Sequence, residues 1–114
     1  MSTSPDRLWR DSTVLLDGGM GSALIARGLT GGGCPELWNL DRPDDVLAVH
    51  AGYLAAGSAV IQTNTFGGSA LALANHGLES KMEMVNCAGV EIARRAAAEN
   101  GAAGRLVAGN MGPT

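Results

Sequence analysis

An α/β fold built on parallel strands is what this sequence predicts, and three stretches predict it. Val14 to Gly21 reads VLLDGGMG, Val60 to Gly68 reads VIQTNTFGG, and Leu106 to Thr114 reads LVAGNMGPT. Each is a brief apolar run that stops at small or polar residues, the pattern of a buried strand emerging into a site. Between them lie amphipathic stretches long enough to be crossover helices, which gives a β-α-β-α-β rhythm. Crossovers return the chain to the same end of the sheet. The three polar clusters are therefore expected along one edge, at the carboxyl ends of the strands, where α/β folds place their ligands.

In order along the chain, Met1 to Ser12 is a polar lead-in anchored by Leu8 and Trp9, and Thr13 to Leu16 reads as the first strand. Asp17-Gly18-Gly19-Met20-Gly21 turns it into a helix over Ser22 to Arg27 that stops at Gly28. The glycine-rich Leu29 to Cys34 reads as a loop, and Pro35 to Leu40 as a bridging segment with Trp38 packed down as a plug. Asp41 as a cap, Pro43 and the first-turn acids Asp44 and Asp45 start a helix running to about Ala56. Its expected inner face is Val46, Val49, His50, Tyr53 and Leu54. After the second strand, Ser69 to His76 is a small-residue helix, and Ser80-Lys81-Met82-Glu83 reads as a capping box opening the longest helix. Val85, Ala88, Gly89, Ile92 and Ala96 form its apolar stripe, Asn100-Gly101 ends it, and Arg105 to Ala108 is the third strand.

The composition bounds the function. The 114 residues are 46% apolar and 17% charged, with 17 glycines and 4% aromatics, which fits one soluble unit with tight loops packed by Ala, Leu and Val. No repeat or linker divides the chain, so residues 1–114 read as a single unit. A net charge of −3 with eight scattered Lys and Arg residues argues against a nucleic-acid partner. No apolar run approaches the roughly 20 residues of a membrane span, and the first dozen residues lack the apolar core of a secretory signal, so no membrane and a cytoplasmic location are expected. Cys34 and Cys87 stand far apart with no CxxC and no flanking histidine. They read as two reduced thiols.

Asp17 is the first candidate for chemistry. At the end of a strand and before two glycines, its carboxylate can hold an ammonium group, while the backbone N–H groups of Gly18 and Gly19 can receive a carboxylate. Such a turn could grip both charges of an amino acid. The plainer reading is that Asp17 caps the following helix. Gln62, Thr63, Asn64 and Thr65 put four hydrogen-bonding side chains at one strand end, alternating between its faces, and either they meet a ligand or they satisfy loop backbone. Asn110 and the Gly112-Pro113-Thr114 turn repeat the pattern more weakly. His50 and His76 lie within or at the end of helices, where packing is the ordinary role. A phosphate- or nucleotide-binding module is the alternative class, but Leu24 stands where GxGxxG needs its third glycine, and no GK[ST] follows.

The stretches LLDGGMGSALIARGL, CPELWNLDRPDDVLAVHAGYLAAGSAVIQTNTFGGSALALANHGLE, VNCAGVEIARRAA and VAGNMGPT together resemble the opening of the homocysteine S-methyltransferase family. That family includes the homocysteine-binding module of cobalamin-dependent methionine synthase and betaine-homocysteine methyltransferase. The resemblance runs from about Val14 to Thr114, with the DGGMG, QTNTFGG and GPT signatures in order and in register.

The resemblance implies the first three β/α units of a (β/α)8 TIM barrel that binds homocysteine at its strand ends, with zinc lowering the thiol pKa for attack on a methyl donor to give methionine. It implies that Asp17 holds the homocysteine amino group, that Gly18 and Gly19 lie beside its carboxylate, and that Gln62, Thr63 and Asn64 line the pocket. The family's zinc thiolates lie on later strands, and neither Cys34 nor Cys87 matches them. The chain is thus expected to supply at most half of a homocysteine site and to be inactive alone. Three accounts follow: a piece of a full enzyme, one chain of a split barrel completed by a complementary fragment, or a non-catalytic remnant. Three strands alone would also leave two open sheet edges.

Overall fold

The structure is a computed structural model that describes residue 10, residues 13–100 and residues 105–113. The elements expected around Leu8 and Trp9, Gly101 and Thr114 lie outside these residues. Helix α1 spans Gly21–Ala26, α2 spans Trp38–Asp41, α3 spans Pro43–Ala55, α4 spans Ala70–Ala74 and α5 spans Met82–Glu99. Strand β1 is Val60–Gln62 and β2 is Leu106–Ala108, and 3-10 turns at Pro35–Leu37 and Glu79–Lys81 lead into α2 and α5.

The strands are parallel. β1 pairs with β2 in the register Val60 to Leu106, Ile61 to Val107 and Gln62 to Ala108, and a single parallel bridge joins Leu16 to Val60 on the other side of β1. The first strand is therefore shorter than the four residues expected and is reduced to a bridge at Leu16. Its Leu15 and Leu16 are about half exposed. β1 lies centrally with Ile61 fully buried.

Helices α3 and α5 form the layer that covers the sheet. The α3 face expected to point inward does so: Val46, Val49, His50 and Leu54 are buried, and Tyr53 is half-buried. The α5 stripe buries Val85, Gly89, Ile92, Ala93 and Ala96. Trp38 joins Leu24, Leu29, Val46, Val49 and Ile92 in one cluster, and Leu54, Ile61, Ala93 and Ala96 form a second. Each fully buried Leu, Ile or Val in these clusters contributes about 1.5–3 kcal/mol. Gly89 lets α5 approach the strand end: a Cβ there would stand 2.8 Å from Asn39 Nδ2 and 2.9 Å from Thr65 Cγ2.

Two helix starts differ from expectation. Asp41 is the last residue of α2, and the N-cap of α3 is Arg42, which makes no side-chain cap bond. Pro43 still sets the first turn, and Asp45 receives Arg27 at 2.8 Å and Arg42 at 2.9 Å. Arg42 also stacks on Trp38, 4.6 Å from the ring centroid. Ser80 lies inside the 3-10 turn before α5, whose N-cap is Lys81, so the capping box does not form. The side-chain cap is elsewhere: Ser69 Oγ accepts from the Ala72 N–H at the start of α4.

Candidate functional site

The strand ends and the loops after them enclose a cavity of about 430 Å³. One wall is the turn Asp17 to Gly21, a second is Gln62, Thr63, Asn64 and Phe66, and Pro35, Glu36 and Asn110 close it. All six residues singled out from the sequence, Asp17, Gly18, Gly19, Gln62, Thr63 and Asn64, line this one cavity. Their side chains do different things there.

Asp17 does not cap α1, whose N-cap is Met20 with no side-chain bond. Its N–H donates to Val60 O at 3.0 Å, while its Oδ2 accepts from the Gln62 N–H at 2.9 Å and its Oδ1 from Gln62 Nε2 at 3.2 Å. The carboxylate thus grips both the backbone and the amide of the residue that ends β1. A carboxylate offers about four lone-pair sites, so roughly two remain for a ligand. The turn after it rests on Tyr53, whose hydroxyl donates to Gly19 O at 2.8 Å. A Cβ on Gly18 would stand 2.8 Å from that hydroxyl, so only glycine lets the turn settle on the ring. Among the described residues, neither the Gly18 N–H nor the Gly19 N–H has an acceptor.

Thr63 and Thr65 share one face of the strand and form a directed ring with Asn110. The Asn110 N–H donates to Thr63 Oγ1 at 3.1 Å, and Thr65 Oγ1 donates to Asn110 O at 2.7 Å. Because that uses the only proton of Thr65, the 2.7 Å contact between the two hydroxyls is donated by Thr63. Asn64, on the other face, is spent on the fold: its Nδ2 donates to Pro35 O and to Asn39 Oδ1, both at 2.9 Å. For Thr63, Thr65 and Asn64 the side chains therefore satisfy backbone and neighbouring amides, and Gln62 is the one that faces Asp17.

Three contributors escaped the sequence reading. Asn39, 3% exposed, donates from Nδ2 to Asn64 O and to Val85 O, which ties the bridging segment to β1 and α5. Tyr53 supports the Asp17 turn. Glu36, 7% exposed, brings a second carboxylate into the cavity. The signal for Glu36 was present: an acid inside the otherwise apolar CPELW run is a buried polar residue that needs a reason.

Cys34 Sγ donates to Glu36 Oε1 at 3.6 Å. Burial pushes the Cys34 thiol above its ordinary value, and the Glu36 carboxylate adds to that, against a Leu37 backbone hydrogen bond that pulls it down. Cys34 therefore stands as a buried thiol beside a carboxylate. Cys87 is exposed on α5, and among the described residues no three His, Cys, Asp or Glu side chains gather into a metal-holding group. Zinc does not fit these residues. His50, fully buried on α3, has no hydrogen-bond partner for either ring nitrogen among the described residues. No described helix is long and apolar enough to cross a membrane.

The chain is similar to proteins of known sequence and structure. Residues 14–114 match the family model for homocysteine S-methyltransferase. Methionine synthase of Mycobacterium tuberculosis is 37% identical over 105 residues, covering 85% of this chain and 9% of that protein. The homocysteine methyltransferase MmuM from Escherichia coli, in its metallated form, superposes with a TM-score of 0.74 at 33% identity, over 93% of this chain and 40% of its own. Its oxidised form gives a TM-score of 0.75 at 34% identity, over 93% and 39%. The chain thus spans less than half the length of each of these relatives.

Proposed function

Because the chain belongs to the homocysteine S-methyltransferase family, we propose that it forms the first three β/α units of a homocysteine-binding (β/α)8 domain and supplies the part of the site that grips the amino-acid end of homocysteine. The observation that carries this reading is the Asp17 turn: a carboxylate with free lone pairs next to two unengaged backbone N–H groups, all on one cavity wall. Asp17 takes the ammonium, the Gly18 and Gly19 N–H groups take the carboxylate, and Gln62 fixes the Asp17 orientation through two hydrogen bonds. Thr63 and Asn64 hold the wall in shape. A turn that neutralises both charges of an amino acid orients its side chain away from itself and across the cavity.

The reaction this serves is methyl transfer to the homocysteine thiol, giving methionine, and the thiol must become a thiolate to attack. The described residues do not supply that step, since Cys34 is a buried thiol and no metal cluster is formed among them. They bind and orient, and thiol activation belongs to groups outside them. The nucleotide-binding alternative is not favoured, because the Asp17 carboxylate occupies the turn that a phosphate would have to approach.

Isothermal titration of homocysteine into the intact protein tests the reading. Asp17→Asn is expected to weaken binding about tenfold or more, with little change in melting temperature, because asparagine keeps one acceptor for Gln62. Equal affinity in both proteins, or stabilisation by a nucleotide in place of homocysteine, would sink the assignment.

A further inference from the structure

The second carboxylate of the cavity has no task in that reading. Glu36 is 7% exposed, and its Oε1 receives only the weak S–H donor of Cys34. Among the described residues no side chain or backbone group hydrogen-bonds its Oε2, no Lys, Arg or His pairs with it, and that oxygen is not sealed from solvent. A largely buried carboxylate with one oxygen open to the cavity and no protein cation beside it is a ready partner for a cation that enters. The fold makes room for it: a Cβ on Gly67 would stand 2.7 Å from Oε1, so the glycine after Phe66 is what lets the carboxylate reach the cavity wall. Phe66 lines the same cavity and is 58% exposed, leaving its ring open to whatever enters.

We propose that Glu36 is a second cation-holding carboxylate of this cavity, separate from Asp17, which takes the positive centre of an organic cation with the Phe66 ring beside it. The carboxylate supplies the opposite charge, and an aromatic face favours alkylated onium and ammonium centres over a hydrated metal ion. The proposal deepens the reading above and rests on it only in taking this cavity as the substrate cavity. Two cations meet the requirement: an onium methyl donor, or the ammonium of the amino-acid substrate reaching Glu36 in place of Asp17.

The test uses the intact protein and two probes, trimethylsulfonium and homocysteine, the latter compared with 4-sulfanylbutanoate, which lacks the amino group. Glu36→Gln is nearly isosteric and keeps an oxygen for the Cys34 thiol. If the cation is an onium donor, this variant loses trimethylsulfonium affinity at least tenfold while the preference for homocysteine over 4-sulfanylbutanoate is unchanged. If it is the amino-acid ammonium, that preference drops at least tenfold instead. Unchanged trimethylsulfonium affinity together with unchanged preference overturns the proposal, as does a wild-type protein that binds neither probe. Gly67→Ala, which displaces the carboxylate without removing its charge, is expected to reproduce the same loss with the fold confirmed by melting temperature. A protein that binds trimethylsulfonium through Glu36 but ignores homocysteine would leave Glu36 assigned and remove the homocysteine reading.

Discussion

Thr63→Val separates structural work from ligand contact at the strand end. Valine keeps the volume and branching of threonine but removes one acceptor and one donor at a site 3% exposed, where bulk water cannot replace them. The Asn110 N–H, which donates to Thr63 Oγ1 at 3.1 Å, is left without an acceptor, at a cost of about 1–3 kcal/mol. The 2.7 Å bond between the two threonine hydroxyls is lost as well, at about 1 kcal/mol. The third leg, from Thr65 to Asn110 O, survives. The expected destabilisation is therefore about 3 kcal/mol, read by urea unfolding as a lower midpoint at unchanged m. Thr63→Ser keeps the hydroxyl and should lose only about 1 kcal/mol, for its methyl group. A Thr63→Val midpoint within about 0.5 kcal/mol of wild type, or a serine variant as unstable as the valine variant, would refute the ring.

Other substitutions probe other parts of the argument. Gly89→Ala forces a methyl between α5 and the Asn39 amide and should cost about 1–3 kcal/mol by overpacking, measured by the same unfolding assay; a neutral result would mean that α5 does not sit so close. Ser69→Ala removes the only side-chain N-cap bond found on a described helix, that of α4, and should cost about 1 kcal/mol; hydrogen exchange confined to Ala70–Ala74 would show it directly. Burial holds the His50 imidazole below its ordinary value of 6.5, with the Asp17 charge pulling the other way. Its contribution to stability is thus full above pH 6.5 and falls as pH drops toward the folded value, because there the unfolded chain takes up a proton that the folded chain refuses. His50→Leu should abolish that slope in unfolding measurements from about pH 8 to pH 5, and an unchanged slope would place the titration elsewhere.

How much of this was legible depended on whether the signal was local. The α3 and α5 faces were readable because periodicity is a property of neighbouring residues, and Pro43 fixed the start of α3 whatever capped it. Ser80 had the letters of a capping box, but packing of the preceding turn placed it inside a 3-10 segment instead, so the tertiary context overrode the motif. Asp17 stood open between cap and ligand group, and the structure removes the cap, because the carboxylate bonds Gln62 in β1. Asn39 and Glu36 sit in a short irregular segment with no period, and their partners lie in β1, α5 and the cavity. Nothing in the letters near them says so.

Three of the ties that hold the cavity together have nearly the same length. Asp17 to Gln62 spans 45 residues, Asn39 to Val85 spans 46, and Thr63 to Asn110 spans 47. Closing a loop of that size costs roughly 3 kcal/mol of chain entropy, so none of these ties forms early by itself. During synthesis the last of them must wait until the segment from Thr63 to Asn110 has left the ribosome, roughly 2 to 9 seconds at ordinary elongation rates. Through that interval β1 has a neighbouring strand on the Leu16 side alone and an open hydrogen-bonding edge on the other. The nascent chain is then most exposed to mispairing, and the cavity wall becomes the last part of the described structure to mature.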